Sequence, residues 1–340
     1  MTMNQLEIEE YLDKLAQQTE SDIEEVFNRR LRVILNQLSA MYEKYGNGDG
    51  EISWTDVNKY SRLTKELNRI NKVLNDGYKE IVKMLQQSTE NIYLEGYLRH
   101  MYLYEMSTGY SMRVTLPTME VIREILKNPI SKLTLPSIFE EHRNQIIRRI
   151  NIEIAQGIQA GEGYAVIARR LQKSVYFGRN KARTVVRTEA GRARSIAAEK
   201  SEERASKYVQ ITGVWLSALD LRVRKSHRQL DGKETDAEGY FHYKGMKAKG
   251  PHHWGVPHMD INCRCIKLRK VNGMFPEYRR GRDYMDPKYQ EKLAERMEQF
   301  MADESLTYKQ ALKRAQEEVQ PPSTTIPFTS YDEWYKKLAA

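Results

Sequence analysis

One apolar stripe at helical spacing constrains this chain more than any other feature. Ile23, Phe27, Leu31, Ile34, Leu38 and Met41 follow at intervals of four, four, three, four and three residues. That is the repeat of one face of an α-helix, and it predicts a long helix over 5–45. Gly46-Asn47-Gly48-Asp49-Gly50 then breaks it. The same spacing resumes through Val57, Tyr60, Leu63, Leu67, Ile70, Leu74, Tyr78, Ile81 and Leu85. Two such stripes joined by a short turn predict an antiparallel helical hairpin. A third helical stretch, 89–107, rich in Tyr and Met, is expected to pack on it. The turn imitates part of an EF-hand loop, with Gly50 and Ile52 at the sharp-turn and central hydrophobic positions. The first ligand position would be Tyr45 and the last Asp56 instead of Glu. It reads as a helix-breaking turn.

Residues 108–136 carry Pro117, Pro129 and Pro136 and read as a connector around one short helix. Ser137 with Glu140 forms a capping-box pattern opening a helix to about 159, which Gly161-Glu162-Gly163 ends. A short helix over 164–172, a turn at Gly178 and an Arg/Ala-rich helix over 181–205 follow. Beyond 206 the texture changes. Residues 208–215 are β-branched and aromatic, and 263–271 read as a second strand. Helices are expected at 287–303 and 305–319. Pro321-Pro322-Ser323-Thr324-Thr325 reads as a linker to an aromatic cluster at Tyr331, Trp334 and Tyr335, suited to docking on a partner or folding back. The expected fold is mainly α: a long hairpin-like N-terminal region, a helical segment, and a small α+β C-terminal module with a helical tail. Its divisions fall at 1–110, a connector 111–136, a unit 137–275 (helices 137–205, module 206–275) and a tail 276–340.

The 340 residues allow two or three domains. No apolar run approaches the ~20 residues that span a bilayer, and MTMNQLEIEEYLDKL lacks the order of a signal peptide. A cytosolic protein, or one assembled there, is expected. Net charge is +9, unevenly placed: 141–200 holds 13 Lys and Arg against 5 Asp and Glu. Arg148, Arg149, Arg169, Arg170, Arg179, Arg183, Arg187, Arg192 and Arg194 form the stretch. Such a run suits non-specific contact with duplex DNA through counterion release, or a helix face paired with acidic protein surface.

Arg187-Thr188-Glu189 begins a helix with small residues at Ala190, Ala193, Ala197 and Ala198. Trp215, Asp220, Arg222, Arg224, His227 and Leu230-Asp231-Gly232 follow, and after a Gly/Pro/His-rich loop comes Asn262-Cys263-Arg264-Cys265. In this order and spacing the motifs resemble the phage head morphogenesis family, the minor head proteins typified by the F protein of phage Mu. The specific likeness covers 187–270, and Gly161 with Ala168-Arg169-Arg170 extends it to about 138. Arg187, Glu189, Trp215, Asp220, Arg222, Asp231, Gly232, Asn262 and Arg264 carry it beside the cysteines. The resemblance implies a structural virion protein present in few copies. It would be assembled in the host cytoplasm, attached to portal and capsid or scaffold proteins, and needed for head assembly, DNA packaging or delivery. Some such head proteins carry fused toxin or nucleotide-transferring domains.

The two cysteines exclude a disulfide framework. On a strand, residues i and i+2 share a face with Cα atoms about 6.6 Å apart. That is at the edge of disulfide geometry, yet two thiolates there can converge on one zinc with bonds near ~2.3 Å. In the family the position matching His227 is Cys or His, as expected of a ligand. The expected site is His227, Cys263 and Cys265, with His258 or Asp220 as the fourth donor. Structural zinc would support a module with little core. The alternatives are two small buried hydrophobes or a redox pair. Asp220, Arg222, His227, Asp231 and Glu234 also offer acid–base groups, so a zinc-dependent hydrolase or nuclease delivered with the genome is the alternative to a non-enzymatic role. No small-molecule substrate is expected.

Overall fold

The computed structural model describes residues 4–327 except 48–49, 109–111, 113, 115, 128–134, 274–277 and 305. The opening stripe forms α1 (Gln5–Tyr45). Asn4 starts it with a capping box, its side chain accepting from the Glu7 N–H at 3.0 Å while its own N–H donates to Glu7 at 2.8 Å. The helix stops at Gly46, which forms an antiparallel bridge with Ile52. The second stripe starts in α2 (Trp54–Asn58) and, after a 3₁₀ turn, runs through α3 (Arg62–Thr108). The stretch expected as a third helix is therefore the second half of α3. No Gly or Pro interrupts 78–95, and the Thr89 hydroxyl donates back to the Leu85 carbonyl at 3.0 Å within the same helix.

After α4 (Met119–Leu126) come α5 (Leu135–Gln159) and α6 (Tyr164–Ala205). α5 begins two residues ahead of the expected cap at Ser137. Pro136 lies in its first turn, where a missing N–H leaves no bond unmade. α6 is one helix of 42 residues, not two separated at Gly178. A Cβ at Gly178 would meet Ile146 Cδ1 at 3.0 Å and the Tyr78 hydroxyl at 3.4 Å. The glycine lets α5 and α3 approach α6; it does not end the helix. Phe27, Ile34, Leu38, Leu74, Ile81, Ile150, Leu171 and Val175 share the core between α1, α3, α5 and α6. Each such side chain contributes about 1.5–3 kcal/mol on burial.

α1 and α6 also meet along a charged seam. Arg179 and Arg183 pair with Glu24, at 2.5 and 3.2 Å. Arg187 grips both carboxylate oxygens of Glu20 at 2.7 and 2.9 Å, and Arg194 pairs with Glu9 at 3.1 Å and with Asp13. Rising numbers on α6 meet falling numbers on α1, so the helices run antiparallel.

The C-terminal module rests on this frame. β1 (Ile211–Leu216) pairs antiparallel with β4 (Ile266–Val271), Leu216 opposite Ile266. One face of the pair, with Val214, Leu216, Ile266 and Leu268, packs with Leu6. On the other, Lys267 lies 2.9 Å from Glu202 and 3.2 Å from Glu199 of α6, and Arg269 lies 2.8 Å from Glu202. The Gln5 side chain occupies the outer edge of β4, donating to the Lys267 carbonyl (3.3 Å) and accepting from the Arg269 N–H (3.1 Å). These are the two bonds a neighbouring strand would make. α7 (Lys225–Leu230), the hairpin β2 (Phe241–Tyr243) and β3 (Met246–Ala248), and α8 (Pro257–Asp260) fill the interval between the strands.

β5 (Tyr278–Arg282), α9 (Pro287–Glu304), α10 (Tyr308–Glu318) and β6 (Ser323–Pro327) complete the described chain. Ser323-Thr324-Thr325, expected in a linker, belong to β6 and pair with β5, and β-branched Thr and Ile residues suit an extended strand. Tyr176 of α6 donates to Glu318 at 3.0 Å, and Arg296 pairs with the same carboxylate at 2.7 Å. The tail helices are thereby held to α6. The cluster at Tyr331, Trp334 and Tyr335 lies outside the described residues. Among the described residues no helix is long and apolar enough to cross a membrane.

Candidate metal centre

His227, on α7, reaches its position because the Leu230-Asp231-Gly232 turn folds the chain back along β1. The Gly232 N–H donates to the Trp215 carbonyl at 2.8 Å, and the Trp215 N–H donates to the Lys233 carbonyl at 2.9 Å. Gly232 has φ +76°, a left-handed backbone that glycine adopts without steric cost. Asp231 accepts from both the N–H and the hydroxyl of Ser217, at 2.8 and 2.7 Å. The Trp215 ring then meets the His227 ring edge to face, 5.5 Å between centroids. Trp215, Leu230, Phe241, Trp254, Met259 and both cysteines make one buried cluster.

Cys263 and Cys265 lie just before β4, which starts at Ile266, and not on the strand itself. Asn262, with φ +55°, turns the chain, and its N–H donates to the Thr188 hydroxyl at 2.9 Å. The thiols still converge. The His227 Nδ1 is 3.6 Å from Cys263 Sγ and 3.3 Å from Cys265 Sγ, and the three donor atoms lie within 4.8 Å of one another. Zinc with ordinary bond lengths and tetrahedral angles would set N and S about 3.6 Å apart. The trio therefore fits a tetrahedral metal of soft or borderline character. Burial raises the Cys263 thiol, but hydrogen bonds from Cys265 and His227 outweigh it and hold the group well below its usual range. Burial, then the bond to and charge of Cys263, push Cys265 well above it.

The two residues expected to supply a fourth donor do not join this trio. His258 is exposed. Asp220 is held in a two-point ion pair by Arg264, one contact at 2.8 Å. That pair fixes the residue between the cysteines, and Asp220 also accepts from the Arg222 N–H at 2.9 Å. Arg222 and Arg224 donate to carbonyls, of Glu317 at 2.6 Å and of Met259 at 3.4 Å. With His227 and the Asn262–Cys265 segment they line a cavity of about 110 Å³. A larger one, about 490 Å³, is lined by Cys263, Arg264, Arg183, Arg187, Lys288 and Lys292 among others.

Of the basic stretch, Arg148, Arg149 and Arg169 are exposed. Arg170 pairs with Glu153 at 2.8 Å and with Glu162. Arg192 is buried beside Glu189, at 2.7 Å, and Arg179, Arg183, Arg187 and Arg194 face α1. The sequence carried a signal for that seam: Glu9, Asp13, Glu20 and Glu24 are spaced by four, seven and four, one acidic helix face to match the basic one.

The family described as Phage Mu protein F like protein matches residues 148–268. The minor head protein GP7 of Bacillus phage SPP1 is 38% identical over 281 residues, covering 82% of this chain and 91% of that protein. A protein of Enterococcus faecalis named NAD(+)–arginine ADP-ribosyltransferase EFV is 27% identical over 268 residues, covering 78% of this chain and 54% of its own length. No solved structure matches.

Proposed function

This chain belongs to the family of Phage Mu F-like minor head proteins, and from that premise we propose that it joins the phage head at the portal and serves genome packaging or delivery. Its neighbours are other head proteins, and assembly takes place in the host cytoplasm. The observation that carries this reading is the extent of the likeness to the SPP1 protein. Identity of 38% is sustained over 82% of the chain, so the helical half and the cysteine module are shared together. Heads purified with and without portal protein test it. The chain is expected in the first and missing from the second; equal amounts in both, or absence from virions, would overturn it.

Contact with duplex DNA rests on Arg148, Arg149 and Arg169, which face solvent. Replacing all three with Ala should lower the slope of log affinity against log salt by about 2–3 and leave the melting temperature unchanged. An unchanged slope would remove DNA from the reading.

The His227, Cys263 and Cys265 trio supports one structural zinc, which would pin the α7 segment to the cysteine turn at the edge of the buried Trp215 cluster. Purified protein should contain one zinc per chain and melt lower after chelation. An enzymatic reading has one observation in its favour, the transferase-named relative, of which this chain spans about half. Turnover of a nucleotide or nucleic acid that requires metal and is lost in His227→Ala would support it.

A further inference from the structure

A tetrahedral metal held by His227, Cys263 and Cys265 would need a fourth donor, and His258 and Asp220 do not supply it. His252 lies in the turn between β3 and α8, only 3% exposed. Neither of its ring nitrogens has a hydrogen-bond partner among the described residues. A neutral imidazole carries one donor and one acceptor, and leaving such groups buried and unmet is unfavourable. The backbone at His252 is left-handed, φ +65°, a region that histidine enters more readily than most non-glycine residues. The ring is seated against α6 at Gly191, where an added Cβ would collide with Nε2. His252 and Cys265 line the same small void.

Two other groups nearby are placed differently. Asp260 is anchored through Oδ1, which accepts from the Trp254 N–H at 3.3 Å and braces that loop, while its Oδ2 has no partner among the described residues. His253 is half-buried and its Nε2 also has no partner among the described residues, but its charged neighbours are Lys267, Arg269 and Arg192, whereas those of His252 include Cys263 and His227.

We propose that His252 is the fourth protein ligand, closing a Cys2His2 metal site with His227, Cys263 and Cys265. The assignment rests on the metal reading of that trio. The His252 ring is not among the donors within 4.8 Å of one another, so binding draws it from its seat at Gly191 toward the thiolates. One of its orphaned nitrogens then gains a partner. A closed site of four protein ligands has no position for solvent, which is the architecture of a structural zinc.

Cobalt(II) titration of the full chain tests this. Wild type should take up one ion with a four-coordinate spectrum that added azide leaves unchanged. His252→Ala should retain one ion through the remaining donors but bind at least about tenfold more weakly, since loss of even an outer partner costs 10- to 100-fold. Its spectrum should respond to azide. His252→Cys restores a donor, so it should recover affinity and gain thiolate charge-transfer intensity, which separates ligation from a folding defect. Wild-type affinity and azide insensitivity in His252→Ala would overturn the assignment, as would an azide-sensitive wild type. If Cys263→Ser abolishes binding while His252→Ala does not alter it, only this assignment fails. If wild type binds no cobalt, the metal reading fails with it.

Discussion

The backbone N–H of Asn262 donates to the side-chain hydroxyl of Thr188, 74 positions earlier, at 2.9 Å. The bond ties the helix that opens the family motif to the turn that presents both cysteines. Thr188 is buried and passes its own hydroxyl proton to the Thr184 carbonyl at 2.7 Å. Thr188→Val keeps the shape and removes the acceptor, so it should cost about 1–3 kcal/mol in urea denaturation. Thr188→Ser should lose much less. Equal stabilities for the Val and Ser variants would show that the bond holds nothing.

Arg264 and Asp220 form the second tie of the cysteine segment, with side-chain exposures of 17% and 7%. Asp220→Asn leaves a nearly buried guanidinium without its counter-charge and should cost about 3 kcal/mol. Burial raises the Asp220 pKa, but the Arg264 hydrogen bond and charge outweigh it and leave the carboxyl below its ordinary value. Its contribution is therefore complete above the unfolded carboxylate range, near about 4. It disappears as pH falls through the lower folded value. A stability profile of Asp220→Asn parallel to wild type below pH ~4 would contradict this.

Gly191 gives a prediction of unusual sign. Alanine in place of an interior helical glycine ordinarily stabilises by roughly 0.5–1 kcal/mol. Here the new methyl would collide with His252 Nε2, so Gly191→Ala should lower the melting temperature of the metal-free protein. Adding His252→Ala should remove the collision and return the ordinary gain. A stabilised single variant would mean the ring does not sit where α6 needs it absent.

His100 is fully buried on α3, its Nδ1 2.7 Å from the Gly96 carbonyl and its Nε2 4.0 Å from Glu9. Burial first, then Arg269, and last Arg194, lower its pKa to about 4 against the opposing pull of Glu9. The folded state thus binds the proton more weakly than the unfolded chain. Stability should fall as pH drops from about 6.5 to about 4, by on the order of 3 kcal/mol from this residue. Thermal melts of His100→Gln should show a shallower slope across that window; an unchanged slope would assign the acid sensitivity elsewhere.

The apolar stripes, the paired strands β1 and β4, and the His227, Cys263 and Cys265 trio were legible in the sequence, because periodicity and donor chemistry are local properties; the short strands β2, β3, β5 and β6 were not. Helix lengths were not. Gly178 breaks an isolated helix by propensity, yet within α6 it admits Ile146 and the Tyr78 hydroxyl, a tertiary reason that local pattern does not carry. The arginine run was visible as charge, but its apposition to Glu9, Asp13, Glu20 and Glu24 depends on two distant helices packing antiparallel. His252 was visible only as one histidine among several. Its orphaned nitrogens and its seat on Gly191 exist only once α6 and the loop meet.

The hydrogen bonds from the Gln5 side chain to β4 have a consequence for the order of events at the ribosome. Their partners are separated by 262 and 264 positions, and pairings of such long range are slow to form. α1 emerges early, but the strand edge that receives Gln5 and the apolar face that receives Leu6 exist only after residue 271 has been made. The first turn of α1 therefore docks late, as a latch that closes on a finished module. A truncated product stopping before β4 would leave that latch open, with the first turn of α1 unpacked while the rest of the helix stays in the core of α3 and α6.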